Sequence, residues 1–276
     1  MKFERYAVIG DPIDHSFSPA MQTAAFAAAG LPATYQAVRI APGDLGTAVK
    51  GKLAGFHGFN VTIPHKQAIV NFLDHLDRSA ETPGTVNTVV REGERLTGYN
   101  TDMTGFDAAL DALAGGRVIR RALLFGAGGG ARAVAASLNG RGIAVALSNR
   151  TPQRARDLAR MIPGVIVLGS IAAVCEALEF ADLVVNATSL GLGPWQDLSP
   201  LPAGAEFHPG TLAMDLVYGR ETRFLQDARR AGCQTQDGIE MLVRQGVASF
   251  RIWTGLDADL EAMRSACQSG LVEVAR

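Results

Sequence analysis

The apolar run ALLF, Ala122 to Phe125, leads straight into GAGGGA and then into the alanine-rich RAVAASLNG. That order reads as strand, glycine loop and helix, the start of a βαβ unit, and it commits this half of the chain to a parallel sheet. Gly126, Gly128 and Ala131 fit the pattern G-x-G-x-x-A. Glycines permit the tight turn and let the backbone approach a pyrophosphate, whose charge faces the helix N-terminus. The loop expected to hold a dinucleotide is therefore Gly126, Ala127, Gly128, Gly129, Gly130 and Ala131.

The end of the next strand selects the dinucleotide. An NAD site places an acidic residue there, about twenty residues on, to hold the ribose 2′-hydroxyl. This chain has SNRTPQR, which supplies Asn149, Arg150, Thr151 and Arg154 and no carboxylate. Two guanidiniums can pair with a 2′-phosphate, so NADP is the expected cofactor. The structural alternative is a helix capped by Thr151 with surface arginines.

Short β-branched runs alternate with longer alanine- and leucine-rich ones along the whole chain. YAVIG, TYQAVRI and GFNVTI read as strands, and SPAMQTAAFAAAG as a helix with Ser18 as N-cap and Pro19 at the first helical position. A second helix is expected from Asp44 to Ala54 and a third from near Pro64 towards Leu76, followed by a hairpin turning at Glu92-Gly93. After the glycine loop come IAVALSNR, the helix TPQRARDLARMI, VIVL, DLVVNATS and TLAMDLVY, and the tail from Gly238 is mostly helical. Two βα series predict an α/β protein of two domains, joined near Ala114 to Arg117. Residues 1–104 form an N-terminal substrate domain, with helices 240–276 packing back on it. Residues 105–239 form a Rossmann-type, doubly wound parallel sheet for NADP.

The remaining composition excludes several classes. A formal net charge of −1 with 19% charged residues leaves no footprint for nucleic acid or an anionic membrane. The start MKFERYAVIGDP lacks the apolar core of a signal peptide, and no run approaches the roughly 18 apolar residues of a membrane helix. Cys175, Cys233 and Cys267 are far apart, without ligand spacing, so reduced thiols, no metal and a cytoplasmic location are expected.

GFNVTIPHK raises a separate question, because a strand-like run here ends in a lysine. Oxidising an alcohol to a ketone needs a group that moves the hydroxyl proton while a nicotinamide takes hydride. A lysine, with an ordinary pKa of about 10.4, serves if burial or a neighbouring positive charge lowers it. Taken alone, Lys66 reads as a surface lysine. GDPIDHSFSP, GFNVTIPHK, GTVNT, GYNTDMTGF, GAGGGAR, NRT, VNATSLG, DLVY and GIEMLVRQG, in this order, resemble the shikimate dehydrogenase family over nearly the whole chain.

The resemblance implies Lys66 and Asp102 as the catalytic pair, and Ser16, Ser18, Thr62, Asn87, Tyr218 and Gln245 as contacts to shikimate or 3-dehydroshikimate. It adds Thr188, Leu216 and Gly238 to the cofactor site and assigns no chemistry to His15 or His65, the latter expected to be partly exposed. Singly, each substrate residue has a structural reading: Ser18 a helix cap, Thr62 a strand residue, Asn87 a turn residue, Tyr218 a half-buried aromatic, Gln245 a helix-surface amide. Hydroxyls and amides suit a small polyol acid, which they match donor for acceptor. The chain departs from the family at Gln22-Thr23, Thr85 and Gly219-Arg220, none of them a catalytic position. The expected protein is an NADP-dependent shikimate dehydrogenase, monomeric or homodimeric. A quinate or aminoshikimate enzyme, or a non-catalytic NADP sensor, is the alternative.

Overall fold

The computed structural model describes residues 3–274, with side chains through residue 270. It divides into two compact units, one whose first segment ends at Gly105 and which resumes at Leu242, and one spanning Phe106–Met241.

The first unit contains β1 (Glu4–Gly10), α1 (Ser18–Ala28), β2 (Ala33–Arg39), α2 (Leu45–Lys50), β3 (Gly58–Val61), β4 (His75–Leu76), α3 (Arg78–Glu81), β5 (Thr88–Glu92) and β6 (Arg95–Tyr99), and α4 (Asp102–Ala114) begins in it. Its sheet has the order β2-β1-β3-β5-β6-β4. The pairs β1–β2, β1–β3 and β4–β6 are parallel, and the hairpin β5–β6 runs antiparallel beside β3. Alternation along β1 sends successive side chains to opposite faces. Ala7 and Ile9 join a core with Val38, Leu53, Phe59 and Val89. Tyr6, on the other face, stacks on Phe26 at 5.0 Å and meets Trp253 at 4.9 Å, while Phe26 meets Phe250 at 5.2 Å. That second face is thus closed partly by α9 (Ile239–Thr254), and α10 (Leu260–Val274) packs along α1.

In the second unit β7 (Arg121–Phe125), α5 (Gly129–Gly140), β8 (Ala144–Ser148), α6 (Pro152–Met161) and β9 (Ile166–Val167) wind one way. After α7 (Ile171–Glu179), β10 (Leu183–Asn186), β11 (Leu212–Asp215), α8 (Arg223–Arg230) and β12 (Gln234–Gln236) wind the other. The order β12-β11-β10-β7-β8-β9 is parallel throughout, which is the doubly wound arrangement expected. The reversal falls between β7 and β10, where open α/β sheets bind ligands. No helix among the described residues is long and apolar enough to cross a membrane.

Local differences from the sequence reading have physical causes. The helix expected from Pro64 to Leu76 is instead a 3-10 turn, Ala68–Phe72, followed by β4. Edge pairing with β6 wins over helical spacing: Asp74 N–H donates to the Leu96 carbonyl at 2.9 Å, and Leu96 N–H donates to Asp74 Oδ2 at 2.7 Å. Ser18 is the first residue of α1 and not its cap; Phe17 holds the cap position, and the Ser18 side chain is buried. The helix expected over Asp44 to Ala54 is confined to α2, after which Gly51 leaves helical geometry. The helices α3, α4, α7 and α8 and the strand β12 are additions to the elements expected from the sequence, and α4 fills much of the stretch between Asp102 and Arg121 read as a joint.

Gly58 shows how tightly α9 is seated. A methyl group there would lie 2.4 Å from Trp253 Nε1 and 2.8 Å from the Val89 carbonyl, two atoms that are themselves hydrogen-bonded at 3.0 Å. Gly58→Ala is expected to destabilise the first unit by about 1–3 kcal/mol and to change the Trp253 emission, as read by urea unfolding followed through tryptophan fluorescence. An unchanged midpoint would show that α9 can shift at no cost.

Candidate active site

All of β3 is buried between β1 and β5, and the chain leaving it is pinned at each step. Thr62 N–H donates to the Ile9 carbonyl at 2.9 Å, His65 N–H to the Thr62 carbonyl at 2.9 Å, and Val86 N–H to the Lys66 carbonyl at 2.9 Å. His65, expected to be partly exposed, is 1% exposed, and its Nε2 lies 2.7 Å from the Ile40 carbonyl. A carbonyl only accepts, so Nε2 carries the ring proton. His65 therefore anchors the loop from inside while Lys66 and Thr62 stay half-buried.

Lys66 Nζ donates to Asp102 Oδ2 at 2.5 Å, with the two side chains 16% and 6% exposed. Asp102 opens α4, so its carboxylate sits at the positive end of the helix. Asn87 Nδ2 donates to the other carboxylate oxygen at 2.9 Å, to Thr101 Oγ1 at 2.9 Å and to Gln245 Oε1 at 3.2 Å. Asn87 Oδ1 accepts from Thr101 N–H at 2.8 Å, and because that N–H can only donate, the orientation of the amide is settled. Gln245 is buried, not on the helix surface, and its Nε2 donates back to the Leu242 carbonyl at 2.7 Å. The structure thus brings Lys66, Asp102, Asn87 and Gln245 into one hydrogen-bonded set.

Ser16 and Ser18 sit at the entry to α1, where Ser16 Oγ accepts from Ser18 N–H at 3.3 Å. Ser18 faces inward towards Tyr35, whose phenol burial pushes well above its ordinary value, hydrogen bonding from Ser18 opposing the shift. His15 is exposed. Gln22 is fully buried and donates to the Gly246 carbonyl at 3.0 Å, so this departure from the family braces α1 against α9 beside Gln245; Thr23 is exposed. Tyr218 belongs to the second unit and is half-buried.

In the second unit Gly126 adopts φ +110°, and a methyl group there would lie 2.7 Å from the Ala187 carbonyl oxygen. Gly128 caps α5 without any side-chain bond, and a methyl group on it would meet open space. The N-terminus of α5 thus presents Gly128, Gly129 and Gly130, with Ala127 and Ala131 buried beneath, in a form that admits a pyrophosphate. Asn149 Nδ2 holds the Thr151 carbonyl at 2.9 Å. Thr151 occupies the cap position of α6, but its side chain makes no capping bond. Arg150 and Arg154 are exposed, and no ion pair among the described residues engages either. Uncommitted guanidiniums beside a bare glycine-capped helix fit a dinucleotide carrying a 2′-phosphate.

Asp215, which sequence reasoning missed, organises the rest of this rim. It is fully buried and accepts from Asn186 Nδ2 at 2.9 Å, Val217 N–H at 3.0 Å and Thr222 Oγ1 at 2.6 Å. Asn186 Oδ1 in turn accepts from Thr188 N–H at 3.0 Å and Thr188 Oγ1 at 2.7 Å. Leu216 N–H donates to the Asn186 carbonyl at 2.9 Å, and Gly238 N–H to the Val217 carbonyl at 3.0 Å. Thr188, Leu216 and Gly238 are therefore held by one buried polar centre. Its signal was a carboxylate ending the apolar run LAMD, and the same signal, a polar residue in an apolar strand, marks Asn60 in GFNV.

Comparisons with known proteins agree along the chain. Residues 8–89 match the family model described as the shikimate dehydrogenase substrate binding domain, residues 112–191 that of shikimate / quinate 5-dehydrogenase, and residues 238–268 the shikimate 5'-dehydrogenase C-terminal domain. A relative in Moorella thermoacetica, a shikimate dehydrogenase (NADP(+)), is 46% identical over 93% of this chain and 90% of its own. Another with the same name, from Thermococcus kodakarensis, is 43% identical over 97% of both chains. The crystal structure of shikimate 5-dehydrogenase from Thermus thermophilus, in complex with NADP(H) and shikimate, superposes with a TM-score of 0.87 at 41% identity, covering 97% of this chain and 99% of that one.

Burial raises the Asp215 carboxyl to about 6, against opposing hydrogen bonds from Thr222, Val217 and Asn186, and the charge of Asp237 adds to the rise. Between about pH 4 and pH 6 the folded chain therefore binds this proton more readily than the unfolded one. The resulting stability is fully present below about pH 4 and is lost as pH rises through about 6. Asp215→Asn has no such proton. The melting temperature of this variant, relative to the parent, is expected to rise between pH 4 and pH 7 in a calorimetric series. A difference independent of pH would mean that the carboxyl titrates at its ordinary value.

Proposed function

The chain belongs to the shikimate dehydrogenase family, and on that premise we propose that it is an NADP-dependent shikimate dehydrogenase. It catalyses the reversible reduction of 3-dehydroshikimate to shikimate, on the route to chorismate and the aromatic amino acids. The observation that carries the reading is the pair of half-buried Lys66 and buried Asp102 at 2.5 Å, with Asn87 on the second carboxylate oxygen. The cofactor, when bound, would supply hydride as NADPH in the reduction and accept it as NADP+ in the oxidation.

Lys66 Nζ gives its proton to the ketone oxygen in the reduction and takes it back from the hydroxyl in the oxidation. Asp102 directs Nζ and balances its charge, so that the amine does not swing into solvent. Asn87 and Gln245 hydrogen-bond the ring hydroxyls, Thr62 contacts one of them, and Ser16, Ser18 and Tyr218 take the carboxylate. The glycines from Gly126 to Gly130, with Ala127 and Ala131, hold the pyrophosphate, and Asn149, Arg150, Thr151 and Arg154 read the 2′-phosphate. Thr188, Leu216 and Gly238 complete the cofactor rim. The formal net charge of −1 offers no basic footprint for nucleic acid or an anionic membrane, and the reading is completed by small-molecule ligands alone and a cytoplasmic monomer or homodimer.

The direct test is a spectrophotometric assay of shikimate and quinate, each with NADP and NAD. Shikimate with NADP is expected to be preferred, and at least about tenfold over quinate, whose extra hydroxyl on the carboxylate-bearing carbon needs room and a partner next to Ser16 and Ser18. Lys66→Ala should lower turnover by about a hundredfold or more while the KM for shikimate stays within about tenfold. A raised KM with intact turnover would assign Lys66 to binding alone.

Arg150→Ala should weaken NADP by about ten- to a hundredfold and leave NAD nearly unchanged, the difference expected for a charge-assisted contact to phosphate. Equal weakening of both would make Arg150 a support of the loop and not a reader of the phosphate.

A further inference from the structure

Beneath the Lys66–Asp102 pair lies a second polar layer to which none of the functional roles above extends. Ser249 is fully buried on α9, one helical turn after Gln245 and on the same side of the helix. Its Oγ lies 3.0 Å from Asn60 Nδ2, 2.8 Å from Thr88 Oγ1 and 3.1 Å from Thr101 Oγ1, and it donates to the Gln245 carbonyl at 2.9 Å. One hydroxyl thus joins β3, β5, the residue before Asp102 and the helix that carries Gln245.

We propose that Ser249 is a positioning residue that sets Asp102 and Gln245 in register with Asn87. The inference rests on the reading of Lys66, Asp102, Asn87 and Gln245 as the substrate-facing set. Its partners are themselves buried: Thr88 is 0%, Thr101 2% and Asn60 6% exposed. Asn60 Nδ2 also donates to the Asn87 carbonyl at 2.9 Å and to Thr88 Oγ1 at 3.0 Å, and Tyr35 Oη donates to Asn60 Oδ1 at 2.7 Å. The strand-end atoms therefore keep partners if Ser249 loses its hydroxyl, and the unit should still fold. What is lost is the shorter of the two ties between α9 and Thr101, the other being the bond from Thr101 Oγ1 to Gln245 Oε1 at 3.5 Å. Thr101 carries the adjustment onward, because its N–H and its hydroxyl both meet Asn87 Oδ1, at 2.8 Å and 3.2 Å. A slack connection there moves the Asp102 carboxylate relative to the amide that holds it, and catalytic positioning tolerates little such movement.

The charged groups that face this layer are Asp102 and, through it, Lys66; its other members are hydroxyls and amides. A change in the layer should therefore appear in the pH dependence of turnover as well as in its size.

The experiment compares Ser249→Ala, Ser249→Thr and Ser249→Val in the full-length protein, using shikimate and NADP. Threonine and valine crowd the site equally and differ only in the hydroxyl, so their ratio reports the hydrogen bonds alone. The expected result is a fall of about tenfold in kcat for Ala and Val, a shifted pH profile of kcat in both, recovery of most of the rate in Thr, and an unchanged KM for NADP. Equal kcat values and pH profiles for Thr and Val, or a loss confined to melting temperature, would overturn the positioning role. A parent protein that turns over no shikimate would overturn the functional reading itself, a result separable from either.

Discussion

The first unit's chemistry depends on one amide. Asn87 has its Oδ1 fixed by a backbone N–H, and this forces Nδ2 towards Asp102, Thr101 and Gln245. Buried polar groups are costly when unpartnered and specific when fully partnered. Here the oriented amide holds the Asp102 carboxylate, and the carboxylate in turn holds Lys66. A lysine on a flexible stem is a poor instrument for proton transfer until something removes its freedom. The strand, the anchored His65 and the helix end at Asp102 together do so.

The second unit repeats this logic with another residue type. Asp215 stands at the end of β11 as Asn87 stands just before β5, and each gathers loop groups around a buried polar atom at the carboxyl or amino end of a strand. Parallel sheets place their loops at strand ends and give them no ladder of their own. A buried acceptor at that level supplies the missing partners, so Thr188, Leu216 and Gly238 are arranged before any ligand arrives. Gly238 has the sharpest requirement, since a methyl group there would sit 2.3 Å from the Leu216 carbonyl oxygen.

The doubly wound sheet and the placement of the glycine loop were legible in the sequence because periodicity and glycine spacing are local properties. Lys66, Asp102 and Asn87 were legible only as an ordered set of motifs; nothing local to Lys66 distinguishes it from a surface lysine. The expected helix after Pro64 failed because Ile69, Leu73 and Leu76 recur at helical intervals while the backbone from Asp74 to Asp77 is claimed by β6 across the sheet edge. Ser249, Thr88 and Thr101 were invisible for a related reason: a buried hydroxyl acts through partners far away in sequence, and a lone serine within a helix carries no sign of them.

The first unit's apolar core and its polar layer also differ in when they can be completed. The cluster from Ala7 to Leu96 on one face of the sheet is made from the chain's first third. The opposite face waits for Phe250 and Trp253, and the polar layer waits for Gln245 and Ser249. During synthesis the whole second unit must emerge between these two stages. A half-made chain therefore holds Lys66, Asn87 and Asp102 but lacks Gln245 and Ser249, the α9 residues that complete the polar layer around them. The polar layer of the first unit is thus completed only after the chain has passed through the whole second unit.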